Sequence, residues 1–191
     1  LYTYHMKIII ASDIHGSAKW CGELLNAFCR EHADMLLLCG DILYHGPRNP
    51  LPDEYAPMKV AEMLGSVKEK IICVRGNCDS EVDQMVLPFP VTPDYAVVHA
   101  NGKRIYISHG HREAPPLAQG DVYITGHTHV PLNVMQDGYY HLNPGSVSLP
   151  KENSAHGYIL FCGDNFKPEA LDGGTFYFKT FDGKYYDKLE I

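Results

Sequence analysis

Five short apolar runs punctuate the first two thirds of this chain, and each stops abruptly at residue types that bind metals. Residues 7–12 end in Asp13-Ile14-His15, residues 35–39 in Gly40-Asp41, and residues 71–74 in Arg75-Gly76-Asn77-Cys78-Asp79. Residues 104–108 end in His109-Gly110-His111, and Val122-Tyr123-Ile124-Thr125 runs into Gly126-His127-Thr128-His129. Short apolar runs bounded in this way read as buried strands. Trp20, Leu24, Leu25, Phe28 and Cys29 recur at helical spacing and predict a helix over about 17–32. A second helix over about 56–68 carries Val60, Met63, Leu64 and Val67 on one face. Strand and helix alternate here as βαβ units, whose handedness sets Asp13, Asp41 and Asn77 on one edge of a parallel sheet. Ligands collect beyond the carboxyl ends of such strands, so the five endings are expected to share one crevice.

The pattern then changes. Asn101-Gly102, Asp137-Gly138 and Asp182-Gly183 each sit between strand-like runs and predict tight hairpins. A further strand over 157–162 is expected to turn at Gly163-Asp164. The class is therefore α/β, with α+β character in the C-terminal half. Residues 43–57 are proline-rich (47, 50, 52, 57) and follow Asp41 directly, which marks a functional loop at the rim of the site. With 191 residues the chain fits a single domain, 1–191, in which residues 1–5 read as a non-native or disordered stub before Met6.

Composition narrows the function. Hydrophobic content of 45% and charged content of 20% are those of a soluble globular protein, and no apolar run is long enough for a membrane span or a secretory signal. The net charge of -7 excludes an extended nucleic-acid surface. It leaves a phosphate substrate open, because bound dications can reverse the local sign. Six cysteines without CxxC spacing fit a reducing, cytoplasmic setting, four of them as small hydrophobes on strands or a helix face.

Asp13, His15, Asp41, Asn77, His109, His127 and His129 all stand at strand ends. Each alone is ordinary: an aspartate after a strand caps a helix or forms a turn, and an asparagine after glycine turns the chain. His127 and His129, one residue apart, are expected on the same face of a strand. Together the seven exceed what one ion takes and fit two ions sharing a carboxylate. Imidazole with oxygen ligands suits manganese first, with nickel, iron, cobalt and zinc as alternatives, rather than calcium or magnesium.

These blocks resemble the five-part signature of the calcineurin-like metallophosphoesterases in order, spacing and strand context, over roughly residues 7 to 150. The stretches 40–49, 75–85 and Asn143-Pro144-Gly145-Ser146-Val147-Ser148 make the likeness closer still to the small bacterial YfcE-type phosphodiesterases. That resemblance implies a four-layer αββα sandwich of two mixed β-sheets flanked by helices. It also implies Asp13, His15, Asp41 and His129 around one metal, and Asp41, Asn77, His109 and His127 around the other, with Asp41 as the bridge. Two dications, two carboxylates, a bridging hydroxide and one phosphodiester come out near neutral. The expected activity is accordingly metal-dependent hydrolysis of a small phosphodiester by a metal-bridging hydroxide.

Cys78 departs from the wider family, most of which has a histidine there that is thought to protonate the leaving alcohol. A thiol beside two dications is a poorer donor, so substrates with good leaving groups are expected. His45 and Arg48 on the rim loop and His111 beside His109 are candidates for substrate binding. Asp79 is expected to cap a short helix starting near Ser80. Tyr177, Tyr185 and Tyr186 are read as strand core, the alternative being an interface in a homo-oligomer. The competing class is a non-catalytic scaffold or interaction module on the same fold, like the retromer subunit that resembles these enzymes. Degraded ligands would mark it, and here all seven are intact. A metallo-β-lactamase would need an HxHxDH block, which is absent, and a TIM-barrel hydrolase a longer chain.

Overall fold

The computed structural model describes residues 6–100, 103–163, 166–167, 170–171 and 174–191. Its first half runs β1 (Lys7–Ala11), α1 (Ala18–Arg30), β2 (Met35–Leu38), α2 (Pro57–Gly65), a 3-10 turn (Lys68–Lys70), β3 (Ile71–Cys73) and α3 (Glu81–Val86). Then come β4 (Tyr95–Ala100), β5 (Lys103–Ser108), β6 (Val122–Ile124), β7 (Pro131–Gln136), β8 (Tyr139–Pro144) and β9 (Gly157–Gly163). A two-residue pair, β10 (Phe166–Lys167) and β11 (Ala170–Leu171), precedes β12 (Gly174–Thr180) and β13 (Tyr185–Glu190).

Two mixed sheets make an α/β sandwich. The six-stranded sheet has the order β13-β12-β9-β1-β2-β3, with β1, β2 and β3 parallel and the remaining pairings antiparallel. The five-stranded sheet has the order β4-β5-β6-β8-β7, with β5, β6 and β8 parallel between antiparallel edges. Alternation along β1 sorts its side chains: Ile8 and Ile10 enter the cluster between the sheets, and Ile9 and Ala11 the one beneath the helices. Strand β2, MLLL, lies between two parallel neighbours, so both its faces are apolar. All helix residues in the two clusters belong to the one on the outer face of the six-stranded sheet.

The local chemistry explains the helix ends. Ser17 Oγ accepts from the Trp20 amide at 3.3 Å as the N-cap of α1, a contact that stabilises a helix by about 1 kcal/mol. Pro57 opens α2, where a missing N–H costs nothing. Cys29, expected on the apolar face of α1, is exposed, and Cys21 is buried there instead. At Asp137-Gly138 both residues have positive φ (49° and 86°), as a two-residue hairpin turn matching strand twist requires. The Asn101-Gly102 turn, Asp164 and residues 1–5 lie outside the described residues.

The tyrosine expectation needs correction. Tyr177 packs on the helix-side cluster, but Tyr185 and Tyr186 are 61% and 49% exposed. They belong to β13, which ends its sheet, so their rings lean on Tyr177 and Phe178 with solvent beyond. Among the described residues no helix is long and apolar enough to cross a membrane.

Candidate metal centre

The loops after β1 and β2 are zipped together by backbone hydrogen bonds. The amides of Asp13, His15 and Gly16 donate to the carbonyls of Gly40, Asp41 and Ile42 at 3.1, 3.0 and 2.8 Å. Parallel neighbours that end together thus deliver Asp13, His15 and Asp41 to one point. Asp13, His15, Asp41, His127 and His129 all have left-handed backbone, with φ of 58°, 49°, 57°, 68° and 63°. Each such non-glycine residue is held at a cost of order 1–3 kcal/mol, and such strain clusters where geometry serves function. The neighbouring chain must come very close: a Cβ at Gly76 would lie 2.1 Å from Asp41 Oδ1, and one at Gly126 only 1.8 Å from Ser12 Oγ.

What converges is a set of acceptors. His15 Nδ1 lies 2.7 Å from the Tyr44 carbonyl, His129 Nδ1 2.6 Å from Leu149 O, and His109 Nδ1 2.7 Å from Cys39 O. A carbonyl only accepts, so each Nδ1 carries a proton and each ring turns its Nε2 inward, the atom that can offer a lone pair to a metal. At one end His15 Nε2 and His129 Nε2 face each other at 3.1 Å, with Asp13 Oδ1 at 3.4 and 3.2 Å. That Oδ1 is buried and has no hydrogen-bond donor of its own. At the other end His109 Nε2 lies 3.0 Å from Asn77 Oδ1 and 3.3 Å from Asp41 Oδ2. Lone pairs this close repel unless a cation sits among them, so the residues fit a divalent metal at each end. The ligand atoms of Asp13, His15 and His129 fall within 4.8 Å of one another, as do those of Asp13, Asp41 and His109.

Electrostatics carries the same message. Burial alone would raise the Asp13 carboxyl, but His129 and His15 outweigh it and hold the group far below the carboxylate range. Burial likewise opposes charge on Asp41, yet His109 holds it ionised. In the metal-free protein burial disfavours the charged ring of His109, and the carboxylates of Asp41 and Asp13 override it, lifting its pKa to about 9. His15 is raised for the same reason, by Asp13 and Asp41 against burial. A proton is held where a metal would otherwise sit.

The remaining expected residues fall as follows. Strand β6 ends at Ile124, and His127 and His129 both lie beyond it in left-handed turns, so they do not share a strand face as the alternation rule suggests. His129 turns to Asp13 and His15, whereas the His127 ring packs against His109 at 5.1 Å. The His111 ring lies 5.3 Å from His109 and 6.3 Å from His127. Arg48 and Cys78 line the crevice above the centre, but His45 does not: its ring packs edge-on against Tyr44 and Tyr55. Burial first, then the Asp41 carboxylate, pushes the Cys78 thiol up in the metal-free protein.

Asp79 is not the helix cap expected of it. Ser80 caps α3, in a reciprocal box with Asp83. The buried Asp79 carboxylate instead accepts from the amides of Asp41, Ile42 and Gly76 at 2.8, 2.9 and 2.7 Å, clamping two ligand loops together. Sequence reasoning assigned no role to several other supports. Ser12 Oγ and the His127 amide donate to Asp13 Oδ2 at 2.6 and 3.0 Å. Ser146 and Ser148 hydroxyls donate to the Asp13 carbonyl, and Asn143 donates to Gly126 O at 2.7 Å. The signal was in the stretch 143–148, whose small polar residues serve a loop more than 100 residues away in sequence.

Comparison with known proteins agrees with this architecture. Residues 6–168 match the model of the calcineurin-like phosphoesterase superfamily domain. The chain belongs to the calcineurin-like phosphoesterase superfamily. It is 46% identical over 171 residues to phosphodiesterase YfcE of Escherichia coli K12, a match spanning 87% of this chain and 93% of that protein. The solved structure of E. coli YfcE, described as a phosphoesterase, superposes with a TM-score of 0.86 at 41% identity, covering 96% of this chain and 98% of that one. Vacuolar Protein Sorting 29 of Cryptosporidium parvum shares the fold alone, with a TM-score of 0.65 at 18% identity over 98% of both chains. Membership and these likenesses make the chain a metal-dependent phosphoesterase, a hydrolase of ester bonds.

Proposed function

We propose that this enzyme hydrolyses small phosphodiesters at a centre of two divalent ions bridged by Asp41. The observation that carries this reading is the position of Asp41 Oδ2, 3.7 Å from His15 Nε2 on one side and 3.3 Å from His109 Nε2 on the other. Asp13, His15, Asp41 and His129 would hold one ion; Asp41, Asn77, His109 and His127 the other. Two ions bound there would supply an acidified water and positive charge for the phosphoryl oxygens. The donors mix imidazole and oxygen, which suits manganese or another borderline metal.

The chain's own residues position the substrate. Arg48 and Lys151 bring cationic ends to the crevice, and a guanidinium suits two phosphate oxygens at once. His111 packs against His109 and His127 but does not line the crevice itself, and would reach a substrate from behind those rings. Cys78, whose ligand atom lies within 4.8 Å of those of His15 and Asp41, borders the leaving group. A non-catalytic scaffold has no comparable support, since every ligand position retains its side chain.

The test is a screen of chelator-stripped protein reloaded with Mn, Ni, Co, Zn or Mg. Aryl phosphodiesters, aryl monoesters and cyclic nucleotides are assayed side by side. The expected result is hydrolysis of aryl diesters, strongest with manganese. Turnover of monoesters alone would remove the diesterase reading, and inactivity with every metal would remove catalysis by this centre.

A further inference from the structure

Cys78 lines two cavities. The metal crevice, about 490 Å³, is bordered by polar groups including Asp41, Arg48, Asn49 and Lys151. On the other side of Cys78 a groove of about 400 Å³ runs between the rim loop and α3, walled by Tyr44, Tyr55, Met58, Val82 and Val86. Of its polar residues, Ser80 and Asp83 are already engaged with each other in the cap of α3. Tyr44, Met58 and Val82 are 43%, 66% and 65% exposed, a grouping of large apolar side chains that needs a reason. Beyond Met58 and Val86 the depression continues along α2 to Ala61 and Pro88.

The groove is built onto the centre. Its wall residue Tyr44 offers the carbonyl that orients the His15 ring, at 2.7 Å. A phosphodiester seated at the centre has two ester groups to place. The crevice is bordered by Arg48 and Lys151, and by Cys78, which also borders the groove. We propose that the groove is the subsite for an apolar ester group of the substrate, such as an aryl or benzyl group; this rests on the diesterase reading above. A cavity of roughly 150 Å³ already accepts benzene, so one ring fits with space to spare. Burying it removes apolar surface from water on both partners, whereas a polar ester group would find Ser80 and Asp83 already engaged with each other.

The experiment uses the full manganese-loaded chain and two slowly hydrolysed ligands, dimethyl phosphate and benzyl methyl phosphate, with affinities measured by calorimetry. The benzyl ester is expected to bind about tenfold more tightly. Val82→Ser and Met58→Ser, both at exposed positions, should bring the ratio within about threefold. Met135→Ser on β7, an exposed residue away from the groove, should leave it at the wild-type value. Equal affinities in the wild type overturn the subsite. So does a ratio left unchanged by both serine variants; a shift of their oligomeric state in sedimentation velocity would then make the groove a contact between copies. If benzyl preference holds but no diester is hydrolysed with any metal, the subsite stands and the diesterase reading falls.

Discussion

The two ends of the proposed centre both draw on histidine and side-chain oxygens, with Asn77 at one where Asp13 stands at the other, but differ in how firmly they are held. Asp13, His15 and His129 are buried, and the carboxylate and both rings are tied from behind. At the other end only His109 is treated this way: Asn77 is exposed, and His127 is half-buried against a neighbouring ring. Rigid, desolvated donors lose little entropy on binding an ion and exclude competing water, so the closed end should bind first and more tightly. The open end is where exchange with solvent and substrate is expected. Polar supports behind a ligand decide its strength as much as the ligand itself.

Replacing one ligand at each end separates them most strongly. His129→Ala is expected to abolish tight binding of the first ion and to lower activity by on the order of 10³-fold. Asn77→Ala should keep one ion per chain and lose the second, with a fall nearer 10²-fold. Metal analysis after dialysis, alongside kcat/KM, checks both; equal losses of metal in the two variants would erase the distinction between the ends.

A smaller effect concerns protons. In the metal-free protein the pKa of His109 stands at about 9, above its ordinary value of 6.5. A raised pKa in the folded state means stability that is fully present below pH 6.5 and is lost as pH rises through about 9. Thermal unfolding of the stripped protein should show that loss, on the order of 3 kcal/mol, and His109→Gln should flatten it. Manganese should flatten it too, because the ring then binds as a neutral ligand. A stripped wild type whose melting temperature is constant over that window would contradict the charge balance described for the open end.

The smallest effect is expected at Cys78, on the mouth of the crevice. Cys78→His should raise turnover of alkyl diesters roughly tenfold through proton donation to the leaving oxygen, while leaving 4-nitrophenyl esters nearly unaffected. A uniform change across both substrates would assign Cys78 to packing alone; the Sγ already sits 3.0 Å from where a Cβ at Gly46 would be.

Much of this protein could be read along the chain because its determinants are local. The unbroken apolar run of β1, helical spacing in α1, the Asp137-Gly138 hairpin and the metal-binding residue types placed just after strands are set by neighbours in sequence and by the limited choices of backbone geometry. Other features depended on residues far apart meeting. The role of Asp79 could not be seen until Asp41, Ile42 and Gly76 brought three amides around its carboxylate. His127 and His129 diverge because left-handed turns replace the strand that alternation assumes. Tyr185 and Tyr186 look like core residues by type, yet β13 lies at a sheet edge and leaves both rings largely to solvent. Hydrophobic pattern and turn chemistry are properties of a few adjacent residues, whereas the partner of a buried polar group and the cover over a face exist only once distant segments have packed.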